Sequence, residues 1–240
     1  MSWRATGNPD DMPTEQFVAW TLERFEAGRM VFTTGFGLEG CALLDLYARA
    51  GATLRVVYLD TGFLFPETYA LRDRLQERYP ALRFERVATD LTPAAQAALF
   101  GPALWRRDPD RCCTLRKIEP LRPVLRAADV WITAITRHQG AARRRAPLIA
   151  WDWPWQILKV CPLVHWDRRA VWEYVRRHDV PHNVLHERGY PTIGCLQCTR
   201  AVPGAGPEDY SRAGRWAERD KTECGLHAAR TDMGSADDRR

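Results

Sequence analysis

Seven cysteines are the residues of this chain best suited to chemistry, and four of them form two close pairs. Cys112 and Cys113 are adjacent in RCC, whereas Cys195 and Cys198 are separated by two residues in GCLQC. A C-x-x-C sequence in a glycine-flanked loop is a frequent metal-binding geometry, and two such pairs make a four-thiolate site. The spacing therefore predicts a metal centre on these four thiols.

Two kinds of metal centre match this pattern. Structural zinc usually draws on two C-x-x-C knuckles, which makes a zinc staple the alternative. The side chains of adjacent cysteines such as Cys112 and Cys113 point in different directions and reach one tetrahedral ion awkwardly. A [4Fe-4S] cubane offers such a pair separate irons. The chemistry therefore favours an iron–sulfur cluster over zinc.

The three remaining cysteines have contrasting surroundings. Cys41 and Cys161 lie within apolar segments and are predicted to be inert core thiols. Cys224 lies instead in the polar stretch RDKTECGLH, where cations are expected to lower the pKa of its thiol. The cationic side chains around it are Arg215, Arg219, Lys221 and His227. We predict that Cys224 is a reactive thiol, with a spare surface cysteine as the alternative.

Strand-like and helix-like stretches alternate along the part of the chain that must position these thiols. Strands are predicted at 30–34, 55–60, 83–87, 130–135 and 147–151. Helices are predicted at 14–27, 41–50, 66–79 and 166–179. This alternation predicts a three-layer α/β fold with a mainly parallel sheet. We expect residues 1–200 to form this single domain, 201–228 an irregular C-terminal tail with Cys224, and 229–240 to be disordered.

A glycine-rich turn follows the first predicted strand. GFGLEG (35–40) matches G-x-G-x-x-G, and Asp60 closes the next strand, as in the dinucleotide fingerprint of nicotinamide-dependent dehydrogenases. More generally, such a turn presents backbone N–H groups at a helix N-terminus that can bind phosphate or sulfate. Thr61 and Gly62 follow the strand end where α/β sheets bind ligands. A plain turn with a capping Asp60 is the alternative.

Composition limits the classes of function. The chain has 240 residues and a net charge of +5, from 35 Lys and Arg against 30 Asp and Glu. This balance suits an anionic small molecule but is too mild to indicate nucleic acid. Its apolar runs are too short to span a membrane and no basic-then-apolar leader opens the chain, so we expect no membrane association and a cytoplasmic location.

Six stretches, in this order, resemble the assimilatory adenylyl-sulfate reductases, the iron–sulfur branch of the phosphoadenylyl-sulfate reductase family. They are TGFGLEG, YLDTGFLFPET, RCCTLRK, WITAITRHQGAAR, VWEYVRRHDVPHNVLHERGYPTIGCLQCTRAV and GRWAERDKTECGLH. The resemblance covers roughly residues 28–228, and its last two motifs are highly specific. The chain departs from the pattern in HQGAARRR, where a Ser commonly follows the Gln, and in a shorter spacing between GRW and ECGLH.

The resemblance implies an adenine nucleotide α-hydrolase-like fold, related to the PP-loop ATP pyrophosphatases. It implies a [4Fe-4S] cluster on the two cysteine pairs and Cys224 as the nucleophile. Because both pairs are present, it favours adenylyl sulfate over the 3′-phosphorylated substrate, which is the alternative. It further implies thioredoxin or glutaredoxin as reductant, a role in sulfate assimilation and cysteine biosynthesis, and a homo-oligomer.

The chemistry of this family defines the remaining candidate residues. A thiolate attacks the sulfur of adenylyl sulfate, AMP leaves, and a dithiol protein releases sulfite from the cysteine S-sulfonate. Because both reactants are negative, we expect cations around the site: Lys117, Arg137, Arg143, Arg215 and His227. Lys117 lies about one helical turn after Cys113 and is expected to reach both cluster and substrate. The expected substrate cradle is Thr34, Gly35, Gly37, Asp60, Thr61 and Gly62.

Two other classes of protein compete with this interpretation. A nicotinamide dehydrogenase would use GFGLEG, bind no iron and leave Cys224 without a role. A zinc-stapled nucleotide-binding or tRNA-modifying scaffold would use the two cysteine pairs for stability only.

Overall fold

The computed structural model of the protein describes residues 9–217, 221 and 223–227. The predicted disorder of 229–240 lies outside these residues, as does Arg219. No helix among the described residues combines the length and the apolarity that crossing a membrane requires.

A six-stranded sheet forms the middle layer of the described part. Its strands are β1 (Met30–Thr34), β2 (Arg55–Leu59), β3 (Arg83–Val87), β4 (Val130–Thr133), β5 (Ile149–Asp152) and β6 (Ile157–Val160). They lie in the order β3-β2-β1-β4-β6-β5, and all neighbours are parallel except the β5–β6 pair. The mainly parallel α/β sheet predicted from the alternating pattern is therefore confirmed.

Helices cover both faces of this sheet. They are α1 (Thr14–Arg24), α2 (Leu38–Arg49), α3 (Pro66–Arg78), α4 (Pro93–Phe100), α5 (Leu104–Arg107), α6 (Pro109–Cys113), α7 (Glu119–Arg126) and α8 (Arg168–Arg177). Successive residues of a strand point to opposite faces. Accordingly Phe32 joins a large core with residues of α1, α2 and α8, whereas Val31 joins a smaller core with residues of α7. Two cores on one sheet give the three layers.

The largest differences from the predicted elements lie between β3 and β6. The sequence pattern predicted no helix between 93 and 126 and no strand at 157–160, whereas α4 to α7 and β6 occupy these positions. Lys159 interrupts the apolar pattern of β6, and in the fold its Nζ lies 3.0 Å from Asp152 of the neighbouring β5. The ion pair between neighbouring strands compensates the charge of Lys159. A lysine in this position does not indicate a strand when the sequence is considered alone.

The start of α2 is also earlier than predicted, at Leu38 rather than at residue 41. The glycine-rich turn therefore enters the helix directly. Gly40 lies so close to β1 that a Cβ there would be 2.6 Å from Thr34 Oγ1. Gly40, which in the sequence indicates a turn, is thus a helical residue. It has to be glycine because a larger side chain would collide with Thr34 at the end of β1.

One continuous helical segment carries the first cysteine pair. Asp108 caps α6 by accepting a hydrogen bond from Arg111 N (2.9 Å), and a π-helical turn over Thr114–Ile118 joins α6 to α7. A π turn inside a helix is often found at functional sites, because it shifts the side chains that follow it. Here it includes Lys117, four residues after Cys113.

Candidate active site

A cavity of about 240 Å³ opens at the carboxyl ends of β1, β2 and β4. This is the point where the strand order reverses, since the chain continues from β1 to one side of the sheet and from β4 to the other. Predicted site residues that line the cavity are Thr34, Gly35, Gly37, Thr61, Lys117, Arg143, Cys195, Arg215, Cys224 and His227. The fold thus brings together residues that lie up to 193 positions apart in the sequence, from Thr34 to His227.

The glycine-rich turn forms one wall. Thr34 Oγ1 accepts a hydrogen bond from Phe36 N (2.9 Å), which closes the turn, and Gly37 precedes the first helical residue of α2. Within the described residues no side chain caps this helix N-terminus. Its first amide groups are therefore available to an anionic ligand in the cavity.

Asp60 and Gly62 do not line this cavity. Asp60 Oδ1 accepts hydrogen bonds from Gly62 N (2.9 Å) and from the Tyr69 hydroxyl (2.7 Å), and Oδ2 accepts one from Arg86 Nε (2.7 Å). Burial raises the pKa of this carboxyl, but these three donors outweigh burial and lower it. The acidic residue of the apparent dinucleotide fingerprint therefore shapes the turn that presents Thr61 to the cavity.

Arg137 also lies away from the cavity lining. Its Nε donates to the Ala146 carbonyl (2.9 Å), and its Nη1 lies 3.2 Å from His165 Nδ1. Arg143, six residues later in the same loop, lines the cavity instead, and its Nη2 donates to Glu223 (2.8 Å). Of the two arginines predicted from this loop, Arg143 is the one that lines the cavity.

The C-terminal tail forms the opposite wall and is attached at several points. Trp216 N donates to the Cys198 carbonyl (3.1 Å), and Arg200 N donates to the Gly214 carbonyl (2.8 Å). Gly214 must be glycine, because a Cβ there would collide with the Arg200 carbonyl. Farther along, Trp155 Nε1 donates to the Leu226 carbonyl (3.1 Å). The tail thus lies over the cavity and carries its thiol to the sheet edge.

His227 is stacked on Trp131 with ring centroids 5.1 Å apart. Burial and then the cations Lys159, Arg143 and Arg212 hold the pKa of His227 well below its usual value. The imidazole therefore lines the cavity as a neutral ring, and the positive charge comes from the lysine and arginine side chains.

Cys224 is partly buried in this cavity, and its electrostatic surroundings favour the thiolate. Burial alone raises the pKa of a thiol. Here the ammonium of Lys117, a hydrogen bond from the Leu226 backbone N–H and the guanidinium of Arg215 outweigh both burial and Glu223, and lower the pKa of Cys224. A partly accessible thiol with a lowered pKa is the signature of a nucleophile.

The four paired cysteines line a second, smaller cavity on the other side of Lys117. None of them forms a disulfide, and Thr61 Oγ1 lies 3.3 Å from Cys195 Sγ. Burial and then the neighbouring Cys195 and Cys198 raise the pKa of Cys112, while burial raises the pKa of Cys113 to about 11. No group of three or more His, Cys, Asp or Glu side chains among the described residues is compact enough for a single metal ion. What the four thiols share is therefore the lining of this cavity.

Lys117 lines both cavities. Burial lowers the pKa of an amine, but the thiols of Cys195, Cys224 and Cys113 outweigh it and raise the pKa of Lys117. The ammonium therefore stays charged beside the cysteine pairs and the tail thiol. Its expected contact with both cluster and substrate stays a prediction.

Several lining residues were missed by the sequence interpretation, although they lie in or near the quoted motifs. They are Glu39, Gln139, His186, Tyr210, Arg212 and Glu223. Glu39 forms a buried ion pair with Arg168 (2.9 Å), and burial followed by Arg168 lowers the pKa of His186 to about 4. Because these side chains form contacts between distant segments, no local pattern distinguishes them from ordinary polar residues.

The fold and the site together define an adenine nucleotide α-hydrolase-like protein whose tail places a thiol in the cavity at the carboxyl ends of the strands. Phosphoadenylyl-sulfate reductase from Candida auris, solved as a phosphate complex, superposes with a TM-score of 0.69 at 25% identity, covering 80% of this chain and 92% of that one. FMN adenylyltransferase from Candida glabrata shares the fold at 17% identity, with a TM-score of 0.60 over 79% of this chain and 62% of that one.

Sequence comparison identifies the family. The model of the phosphoadenosine phosphosulfate reductase domain matches residues 29–201, so the chain belongs to this family. Adenosine 5'-phosphosulfate reductase of Geobacillus kaustophilus is 44% identical over 224 residues, which is 92% of this chain and 94% of that protein. Adenosine 5'-phosphosulfate reductase 2 of Bacillus subtilis is 42% identical over 199 residues, 83% of each chain.

Proposed function

We propose that this protein reduces adenylyl sulfate to sulfite and AMP in sulfate assimilation, with a thioredoxin-like dithiol protein as reductant. The observation that carries this proposal is the Cys224 thiol, which lies in the cavity at the switch point of the sheet with the ammonium of Lys117 among its neighbours. The names of the similar proteins favour adenylyl sulfate over its 3′-phosphorylated form. Neither competing class gives Cys224 a role.

Substrate binding uses charges that the fold has already assembled. The uncapped N-terminus of α2 and the glycine-rich turn would receive an anionic group of the nucleotide. Lys117, Arg143 and Arg215 would receive the sulfate, because they line the same cavity as Cys224. Fixed cations in a partly dry site offset the repulsion between a thiolate and an anionic substrate.

The chemical step is a displacement at sulfur. The Cys224 thiolate donates its electron pair to the sulfate sulfur and forms an S–S bond, while the bond between sulfur and the bridging oxygen breaks. AMP leaves with the electron pair of the broken sulfur–oxygen bond, and the protein retains a cysteine S-sulfonate. The lowered pKa of Cys224 increases the fraction of thiolate before substrate arrives.

Release of sulfite needs a second thiol. A thiolate of the dithiol reductant attacks the Cys224 sulfur and expels sulfite, which leaves a mixed disulfide, and the reductant's other thiol then regenerates Cys224. The two electrons that convert sulfate to sulfite therefore come from the oxidation of a dithiol to a disulfide.

The two cysteine pairs fit a [4Fe-4S] cluster. Four thiols from two distant segments, none of them in a disulfide, line one cavity, and the half-buried cation Lys117 lines the same cavity. Cys112 and Cys113 would hold the cluster from α6, and Cys195 and Cys198 from the loop before the tail. When bound, the cluster would supply a negatively charged group that ties these segments together and holds Lys117 in its charged form.

Mass spectrometry tests the function directly. The protein incubated with adenylyl sulfate and no reductant is expected to gain one SO₃ group per chain, on the peptide that contains Cys224. Addition of thioredoxin should then remove the adduct and release an equal amount of sulfite. An adduct on Cys41 or Cys161, or sulfite release without any adduct, would contradict the proposed mechanism.

A further inference from the structure

Glu223, the residue immediately before the nucleophile, directs a negative charge into the cavity that must accept an anion. Its Oε2 accepts a hydrogen bond from Arg143 Nη2 (2.8 Å) and lies 3.6 Å from Arg212 Nη2. Its side chain is 13% exposed, and that of Arg143 is 12% exposed. This is therefore a largely buried ion pair between the tail and the wall formed by the Arg137–Arg143 loop.

This carboxylate is unfavourable for the chemistry beside it. Glu223 opposes the lowering of the pKa of Cys224. It also engages a guanidinium whose geometry suits a sulfate oxygen as well as it suits a carboxylate. Arg143 still has a buried Nε–H without a hydrogen-bond partner among the described residues. An unsatisfied buried donor next to an engaged one indicates that this guanidinium serves a further ligand.

We propose that the Glu223 carboxylate is an internal substitute for the sulfate group of the substrate: it occupies Arg143 and Arg212 in the substrate-free protein, and the sulfate displaces it. The inference rests on the proposed function, since it assigns the sulfate to the same cavity as Cys224.

The consequence is selectivity between anions. A free sulfate or phosphate ion must displace Glu223 with no other contact to compensate. Adenylyl sulfate brings the contacts of its nucleotide as well, so it can displace the carboxylate at a lower concentration. Because Glu223 and Cys224 are adjacent, the same displacement releases one attachment of the tail when the substrate arrives.

Inorganic sulfate is the probe that isolates this effect. Equilibrium dialysis of radiolabelled sulfate should show that Glu223→Gln binds the ion about tenfold more tightly than the parent, the effect of removing one competing charged hydrogen bond. Glu208→Gln is the matched control, because Glu208 forms a 2.7 Å ion pair with Arg176 in an exposed part of the same tail. It should bind sulfate as the parent does.

A variant with a shorter acidic side chain tests whether the Glu223 carboxylate competes with sulfate for Arg143 or acts only through its negative charge. Glu223→Asp keeps the charge but shortens its reach, so its sulfate affinity should lie between those of the parent and Glu223→Gln. Unchanged or weaker sulfate binding by Glu223→Gln, or equal tightening by Glu208→Gln, overturns the inference.

The outcome is independent of turnover. Tighter sulfate binding by Glu223→Gln in a protein that releases no sulfite would support the inference while the proposed function fails. Sulfite release by the parent together with unchanged sulfate affinity in Glu223→Gln would support the proposed function and contradict the inference about Glu223.

Discussion

Cys161 and Cys224 are the same side chain in two regions of the molecule, and their environments give them opposite reactivity. Cys161 lies in the core behind β6, 2% exposed, with its sulfur 3.3 Å from Thr133 Oγ1. Burial raises the pKa of Cys161, and the nearby Lys159 and Arg143 do not compensate for it. Around Cys224 burial also raises the pKa, but Lys117 and the Leu226 N–H outweigh it.

The comparison shows that burial alone does not decide whether a thiol is inert. What differs is whether a charged donor is held where it stabilises the thiolate. Lys117 fills that position because the π-helical turn places it between the cysteine pairs and the tail.

Replacing Cys224 and Cys161 in turn should give the largest difference in the rate of sulfite release. Cys224→Ser is expected to lower the rate of sulfite release by at least about 1000-fold, because an alcohol without an adjacent base is a much weaker nucleophile than a thiolate. It should still bind adenylyl sulfate. Cys161→Ser is the control and should turn over at close to the parent rate; a similar loss in both variants would remove the distinction between the two cysteines.

Loss of one of the proposed cluster ligands should abolish iron binding while Cys224 stays in place. Cys195→Ser is expected to retain less than about a tenth of the iron and sulfide, because a thiolate is the ligand that such clusters require. Analysis after anaerobic purification, with Cys41→Ser as the control, checks this. Full iron content in Cys195→Ser would contradict the assignment of the two pairs.

Removal of the ammonium should make Cys224 more like Cys161. The thiolate is the form that reacts with iodoacetamide, so a lowered pKa lets Cys224 react at lower pH than an ordinary thiol. Lys117→Ala should raise the pKa of Cys224, shift this labelling profile to higher pH and slow sulfite release by about 10- to 100-fold.

The matched control for this profile is Lys159→Ala, which removes the lysine near Cys161 instead. It should leave the labelling profile of Cys224 in place. If Lys117→Ala leaves the profile unchanged as well, Lys117 does not activate the nucleophile.

The smallest effect is expected in the core. Cys161→Ala removes the partner of Thr133 and leaves a small cavity, so the free energy of unfolding should fall by about 1–2 kcal/mol, with turnover unchanged. Urea denaturation followed by fluorescence measures the first quantity. A fall in turnover larger than the fall in stability would show that Cys161 also takes part in the site.

Local sequence patterns predicted many of the strands and helices, because in these elements the residues that are buried are also the apolar ones. The runs MVFTT and RFERV form β1 and β3 with the predicted bounds, and Asp167 caps α8 by accepting from Ala170 N (2.8 Å). No helix was predicted over 93–126, a segment that contains several prolines. In the fold, Pro93 and Pro109 occupy first-turn positions of α4 and α6, where a missing N–H costs nothing. Pro120 and Pro123 lie within the continuous helical segment that runs from α6 through the π turn into α7.

By itself the sequence determined the strand-and-helix alternation, the two cysteine pairs and the isolated thiol in a cationic segment, because each is a property of residue type and short-range spacing. Only the tertiary structure decided that Arg143 rather than Arg137 faces the cavity and that Asp60 supports a turn. It also decided that Glu223 meets Arg143 across 80 residues. These outcomes depend on which distant groups share one buried space, and electrostatic interactions there are set by separation and exposure rather than by order along the chain.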